Sequence, residues 1–191
     1  MFCVNWRGRH VGLPQAEGVV AETRRGAQKE WAIWKTHTAE FRQKHGIPRY
    51  SKPWTTRSDV QLHGIPDIPR VHDLLNACFA FQRRANPSTS TQTLVQDLFV
   101  DWSQGVQRKP WSRGCPRTLT TSTFLYSFEK DVVLSGVNML QLMGWSTQRV
   151  LCASHASDHQ IKVLAGEAYS LPWCTLLHAI LYNNPYGEWW R

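Results

Sequence analysis

Four cations lie within ten residues of one stretch of the chain, and a tryptophan lies among them. The cations are Arg108, Lys109, Arg113 and Arg117, and the tryptophan is Trp111. Phosphate oxygens require positive charge, and a flat indole ring is a surface on which a base can stack. Glycine and proline in the same stretch predict a loop. The stretch is therefore the densest candidate for contact with a nucleic-acid backbone, and the alternative is a solvated basic loop.

The composition agrees with a nucleic-acid partner without requiring one. The chain of 191 residues has 22 Lys and Arg against 14 Asp and Glu, a formal net charge of +8. This balance favours an acidic partner such as DNA, but it also suits a protein with a merely basic surface. The ten tryptophans also have two interpretations, stacking on bases or packing in a core, and we favour packing.

A second group of residues has side chains that bind zinc. Cys152, His155 and His159 are suitable donors, but a closed structural site needs four ligands, which only Cys174 or Asp158 could complete. We therefore predict a surface loop here and no metal. The chain also lacks a Gly-x-Ser-x-Gly elbow and a glycine-rich phosphate loop ending in Lys-Ser/Thr, so no catalytic residue is predicted.

The cysteines and the apolar residues bear on the compartment. Five scattered cysteines differ from the dense spacing of a secreted disulfide scaffold and favour a reducing, intracellular setting. No apolar run approaches the roughly 18 residues of a membrane span, and the N-terminus has no signal-peptide core. Neither export nor a membrane partner is predicted.

The elements that would carry these residues follow from periodicity. Apolar residues at helical spacing predict a helix over 28–45, ended by Gly46, and a second core-facing helix that ends before Asn86. The apolar positions of the two helices are Trp31, Trp34, Thr38 and Phe41, and then Val71, Leu74, Leu75, Cys78 and Phe79. Residues 47–69, marked by four prolines, are expected to be a connector whose cations and aromatic residues fit a nucleic-acid surface or an ordinary loop.

The second half of the chain is expected to hold the strands. We predict a strand within 94–102 and a hairpin formed by 124–128 and 132–134. Ser135 is suited to cap a helix that Gly144 ends, and Gly166 is expected to form a turn before an apolar helix over 172–182. The fold class is mixed α+β, mostly helical with a few short strands.

Three blocks of the C-terminal third carry a resemblance to a known family. They are Arg117-Thr118-Leu119-Thr120-Thr121-Ser122, the residues from Leu134-Ser135-Gly136 to Leu142-Met143-Gly144-Trp145, and Leu164-Ala165-Gly166-Glu167-Ala168. In this order they resemble the C-terminal end of the cytosine-5 DNA methyltransferase family. The resemblance implies a recognition-like region over 1–116 and a closing segment over 117–191. It also implies a DNA-facing surface just before Arg117, S-adenosylmethionine near Gly166 and Ala168, and a nuclear location.

The chain departs from the family at the positions that perform the chemistry. The family's nucleophile follows a proline and its acid lies in a Glu-Asn-Val segment, whereas this chain contains neither Pro-Cys nor Glu-Asn-Val. The charged positions of the family's helix hold Val132, Asn138 and Gln141, Glu167 replaces the asparagine of the final turn, and no cofactor-binding half precedes residue 100.

These departures leave three hypotheses for the function. The first is an incomplete methyltransferase-like protein that retains a basic DNA surface and does not transfer methyl groups alone. A protein partner is a candidate source of the missing domain. The second is a basic interaction module that docks a protein partner through the 172–182 helix. The third is a marginally folded fragment whose apolar helix promotes aggregation.

Overall fold

The structure is a computed structural model that describes residues 27–48, 52–146, 156–168 and 174. The described part is mixed α+β and mostly helical, which confirms the predicted fold class. Its helices are α1 (Ala27–Lys44), α2 (Pro69–Ala85), α3 (Thr91–Val95), α4 (Gly136–Leu142) and α5 (Asp158–Glu167). Its strands are β1 (Leu98–Asp101), β2 (Trp111–Arg113), β3 (Leu125–Ser127) and β4 (Val132–Val133). Two 3₁₀ turns cover Trp54–Thr56 and Val106–Arg108.

The two long helices match their predicted positions. On α1, Trp34, Thr38 and Phe41 are buried, and Gly46 follows the helix with a φ of 57°, a left-handed value that suits glycine. The side chain of Trp31 lies outside the described residues. α2 begins at a proline, ends at Asn86 and buries the whole predicted apolar stripe.

The prediction of one strand within 94–102 is wrong in its first part. Leu94 and Val95 belong to α3, because the Ser90 hydroxyl accepts a hydrogen bond from the Thr93 N–H and caps a short helix. The strand β1 begins only after Asp97, whose φ of 52° reverses the chain. The apolar residues of this stretch are thus shared between a helix and a strand.

The four strands form an antiparallel sheet in the order β2-β1-β3-β4. The predicted hairpin is confirmed by β3 and β4, which a turn over 128–131 connects. β1 and β2 precede residue 116, while β3 and β4 follow it, so the two predicted segments of the chain contribute to one sheet. An antiparallel sheet differs from the parallel sheet of a doubly wound fold.

The sheet separates two apolar cores. Leu98 and Val100 of β1 join the core under α1 and α2, whereas Phe99 joins the core under α4 and α5. Side chains of a strand alternate between faces, so β1 is buried on both sides. The described part is therefore layered as helices, sheet and helices.

One buried network ties the connector to the hairpin. The Trp54 indole N–H donates to the Tyr126 hydroxyl at 3.0 Å, and that hydroxyl donates to the Asp131 carboxylate at 2.5 Å. The same carboxylate accepts the backbone N–H groups of Gln61 and Leu62, at 2.5 Å and 3.0 Å. Residues 61–62 are thereby held against the hairpin about seventy positions further along.

The α4–α5 pair contains most of the resembled blocks. As predicted, Ser135 caps α4, and its hydroxyl accepts from the Asn138 N–H at 3.3 Å. Gly144 follows α4 with a φ of 89°, which confirms the predicted end. α5 begins at a second capping box, formed by Ser157 and Gln160.

The predicted turn at Gly166 is wrong, because this residue lies inside α5. A Cβ atom at Gly166 would overlap the backbone of Thr120 and Thr121, so glycine here allows a close contact rather than a turn. The resembled block 117–122, whose sequence is β-prone, holds no strand, since 116–120 form irregular structure and 121–122 a turn. The predicted helix over 172–182 lies outside the described residues, except for the helical Cys174.

Candidate nucleic-acid interface

The basic stretch from Arg108 to Arg117 combines a 3₁₀ turn, a short strand and a loop. Lys109 follows the turn with φ 47° and ψ 63°, in the left-handed region, and its N–H donates to the Val106 carbonyl at 3.0 Å. This backbone is costly for a lysine, and more so before Pro110, because a residue that precedes proline favours extended conformations. The turn therefore places Lys109 at a defined position beside α1.

A pocket of about 210 Å³ lies where α1 meets this turn. Its lining from α1 consists of His37, Glu40, Phe41, Lys44 and His45, at helical spacing along one face. Gln107 and Lys109 complete it from the turn. The pocket thus has two lysines and two histidines against one carboxylate.

Aromatic contacts hold the ring of His45 in place. Its centroid lies 4.5 Å from that of Phe41 and 5.0 Å from that of Phe81, with the Phe81 contact edge-on. Partial burial lowers the pKa of His45 below its ordinary value of 6.5, and the charges of Lys109 and Lys44 lower it further. The ring is therefore harder to protonate than an ordinary histidine, and the two lysines supply positive charge to the pocket.

Two of the predicted phosphate-binding arginines are exposed and lie close to one another. Arg108 is exposed and donates to the Gln104 side chain at 3.1 Å. Arg117 is also exposed and donates to the Arg108 carbonyl at 3.1 Å. Lys109, next to Arg108 in the chain, is exposed as well. Their contact with a nucleic acid stays a prediction.

The other two predicted contacts have internal functions. The guanidinium of Arg113 donates to the carbonyls of Thr93, Leu94 and Gln96, where the last carbonyls of α3 lack helical partners. Trp111 is 8% exposed and packs on Phe41, with ring centroids 5.5 Å apart. Arg113 therefore serves to terminate a helix, and Trp111 has no exposed ring face for a base.

The residues expected near a cofactor lie in the α5 contact. Gly166 faces the backbone of Thr120 and Thr121, and Ala168 ends α5 and packs at the edge of the second core. Neither lines the pocket at α1. Their proximity to S-adenosylmethionine stays a prediction.

The sequence interpretation missed the contribution of α1 to the basic surface. The sequence pattern places Lys44 and His45 only at the end of the predicted 28–45 helix, where His45 suits the helix dipole. It does not single out His37 or Gln107. The signal was the polar face of α1, where His37, Glu40 and Lys44 repeat at three to four residues. The sequence does not indicate that this face of α1 lies beside the Val106–Arg108 turn, which is distant along the chain.

The metal hypothesis finds no support in the described residues. Within 27–48, 52–146, 156–168 and 174, no group of three His, Cys, Asp or Glu side chains could hold a metal ion. His159 lies in α5 and not in the predicted surface loop, whereas Cys152 and His155 lie outside the described residues. Among the described helices, none has the length and apolarity to cross a membrane.

The chain has no match among known proteins by any of three comparisons. No protein family, curated protein or solved structure matches it. The functional argument therefore depends on the residues and their geometry.

Proposed function

We propose that this protein binds DNA through a basic surface formed by Lys44, Arg108, Lys109 and Arg117. We further propose that it is related to the C-terminal end of the cytosine-5 DNA methyltransferases and does not transfer methyl groups by itself. The observation that carries the first proposal is the convergence of α1 and the Val106–Arg108 turn, which brings Lys44 to the same pocket as Lys109.

The lack of carboxylate partners for these four cations, among the described residues, supports a phosphate partner. Some cations of the described residues are paired with carboxylates, such as Arg42 with Asp73 at 3.2 Å and Lys162 with Asp158 at 2.9 Å. None of the four proposed cations has such an ion pair within the described part of the chain. Their charge remains available for an external anion.

The arrangement of these cations favours a phosphate backbone over a single small anion as the ligand. Arg108 and Lys109 are adjacent at one turn, and Arg117 donates to the Arg108 carbonyl, so the surface holds several neighbouring charges and not one. A nucleic acid likewise presents several negative phosphates in succession. Binding of this kind orients the nucleic acid but does not by itself select a sequence.

The test is the salt dependence of DNA binding by the full chain. Each neutralised phosphate contributes a slope of about −0.9 to the plot of log affinity against log salt, so four contacts predict a slope near −3.6. The double variant Lys44→Gln/Lys109→Gln is expected to reduce this slope by about 2. A matched control is Lys35→Gln/Lys130→Gln, which removes the same charge from two exposed lysines outside the pocket.

The two variants separate a defined surface from general basicity. Equal loss of slope in both would mean that only net charge matters, and would contradict the proposed surface. For the second part of the proposal, transfer of labelled methyl groups from S-adenosylmethionine to DNA by the purified chain would contradict the absence of catalysis.

A further inference from the structure

We infer that the pocket between α1 and the Val106–Arg108 turn accepts one unpaired nucleotide of a bound DNA strand, with its base on the ring of His45. The inference depends on the proposed DNA binding and adds that single-stranded segments are preferred. It gives the pocket a ligand of definite chemistry, namely a planar base joined to a phosphate.

The size of the pocket limits what it can hold. Sites for whole cofactors or drug-sized ligands have volumes of roughly 300–1,000 Å³. A volume of about 210 Å³ is smaller, and thus suits one ring system with the adjoining phosphate at the rim.

The ring of His45 belongs to an aromatic cluster beside the pocket. Phe41 and Phe81 both contact it, and both also contact Trp111, at 5.5 Å and 5.4 Å. A ring held in this way loses little conformational freedom when a base stacks on it. Proteins that bind single strands combine such aromatic surfaces with a positively charged path for the backbone.

The rim supplies the remaining contacts. Lys44 and Lys109 can bind the phosphate, while Glu40 and Gln107 present hydrogen-bonding groups to the edge of a base. Inorganic phosphate alone would use the lysines but leave the aromatic cluster and these two polar groups without a function. The whole lining therefore favours a nucleotide over a simple anion.

A paired base cannot enter such a pocket, because in a duplex both faces of each base are stacked and its edge is hydrogen-bonded to its partner. The preference should thus appear as tighter binding to DNA that contains unpaired nucleotides. One stacked base corresponds to about a tenfold or greater gain in affinity.

The experiment compares a blunt duplex with the same duplex carrying a short single-stranded gap, by fluorescence anisotropy with the full chain. The gapped DNA is expected to bind about tenfold more tightly. His45→Ala should abolish this preference, whereas His45→Phe should retain it because a ring remains in place. Equal binding of the two DNAs by the unmodified protein, or a preference that survives His45→Ala, would overturn the inference.

Two further comparisons complete the test. One distinguishes a free nucleotide from a DNA strand as the ligand, and the other distinguishes failure of this inference from failure of the proposed DNA binding. Deoxythymidine monophosphate should displace the gapped DNA only at a large excess. Displacement at a concentration comparable to the DNA would overturn assignment of the pocket to a nucleic-acid strand. Absence of binding to either DNA would refute the proposed DNA surface and, with it, this inference. Binding to both with equal affinity would refute the inference alone.

Discussion

The hydroxyl of Tyr126 should contribute substantially to stability, and Tyr126→Phe removes it while keeping the ring. This hydroxyl accepts from the Trp54 indole and donates to the Asp131 carboxylate. Tyr126 is fully buried and Trp54 is 4% exposed, so water cannot replace the lost partner at either ring without opening the core.

The magnitude follows from two costs. A hydrogen bond to a charged group contributes about 1.5–3 kcal/mol, and a buried donor left without a partner costs about 1–3 kcal/mol. Asp131 keeps its two backbone donors, so the combined loss should be near the lower part of the sum, about 2–4 kcal/mol. At about 2–4 °C per kcal/mol for a chain of this length, the melting temperature should fall by roughly 5–15 °C.

The assay is urea unfolding of the full chain followed by circular dichroism, with Asp131→Asn as the second arm of a double-mutant cycle. Asparagine tolerates the left-handed φ of 51° at this position, so the variant removes charge without backbone strain. The two changes should be non-additive by about 1 kcal/mol or more. An unfolding free energy of Tyr126→Phe within about 0.5 kcal/mol of the unmodified protein would refute the proposed network.

Tyr126 should also make the protein less stable at alkaline pH. Burial raises the pKa of Tyr126 above its ordinary value of 10.0, and the hydrogen bond to Asp131 raises it further. The unfolded chain therefore releases this proton first, and stability is lost as the pH rises above about 10, by about 1.4 kcal/mol per pH unit. Tyr126→Phe should lack this component of the slope, and an unchanged slope would contradict the assignment.

Three further predictions concern helix contacts and the pocket. Gly166→Ala should destabilise by about 1–3 kcal/mol in urea unfolding although alanine favours helices, since its Cβ overlaps the backbone, whereas Gly105→Ala, with open space around it, should have almost no effect. Ser135→Ala should cost about 1 kcal/mol by the same measurement, and a neutral result would contradict the cap. DNA affinity should rise as the pH falls from 7 to 5, because a bound phosphate favours protonated His45, and His45→Phe should flatten the dependence.

Other charged groups of the described residues lie around the pocket that His45 lines. On α1 these are His37, Glu40 and Lys44, and on the turn Lys109. From α2, Arg84 donates to the Gly46 carbonyl at 2.6 Å, next to His45. Since these groups surround the same site, the comparison with His45→Phe, and not the pH dependence alone, isolates His45.

The helices with a clear apolar stripe were predictable from the sequence. α1 and α2 bury the faces that their spacing indicates, because both pack one side on a core and expose the other. The β3–β4 hairpin was also predictable, since two β-prone runs flank a polar turn.

The errors share a cause, which is that local pattern does not reveal tertiary neighbours. Leu94 and Val95 continue the apolar run of β1, yet a serine cap starts a helix just before them. Gly166 resembles a turn residue in sequence, but its lack of a side chain serves a helix that packs on a distant loop. Lys44 and Lys109 are 65 positions apart (109 − 44), so their shared pocket had no signal in either stretch alone.

The edges of the sheet bear on the behaviour of the protein at high concentration. His63 of the connector lies next to β4 at one edge of the sheet. Its carbonyl accepts from the Val133 N–H at 2.9 Å, so the connector covers that edge. The opposite edge is β2, which is only three residues long. Exposed strand edges recruit strands of other molecules, and proteins avoid this by keeping edges short or covered. In the described sheet one edge is covered and the other is short. The sheet should therefore resist edge-to-edge aggregation during concentration and storage.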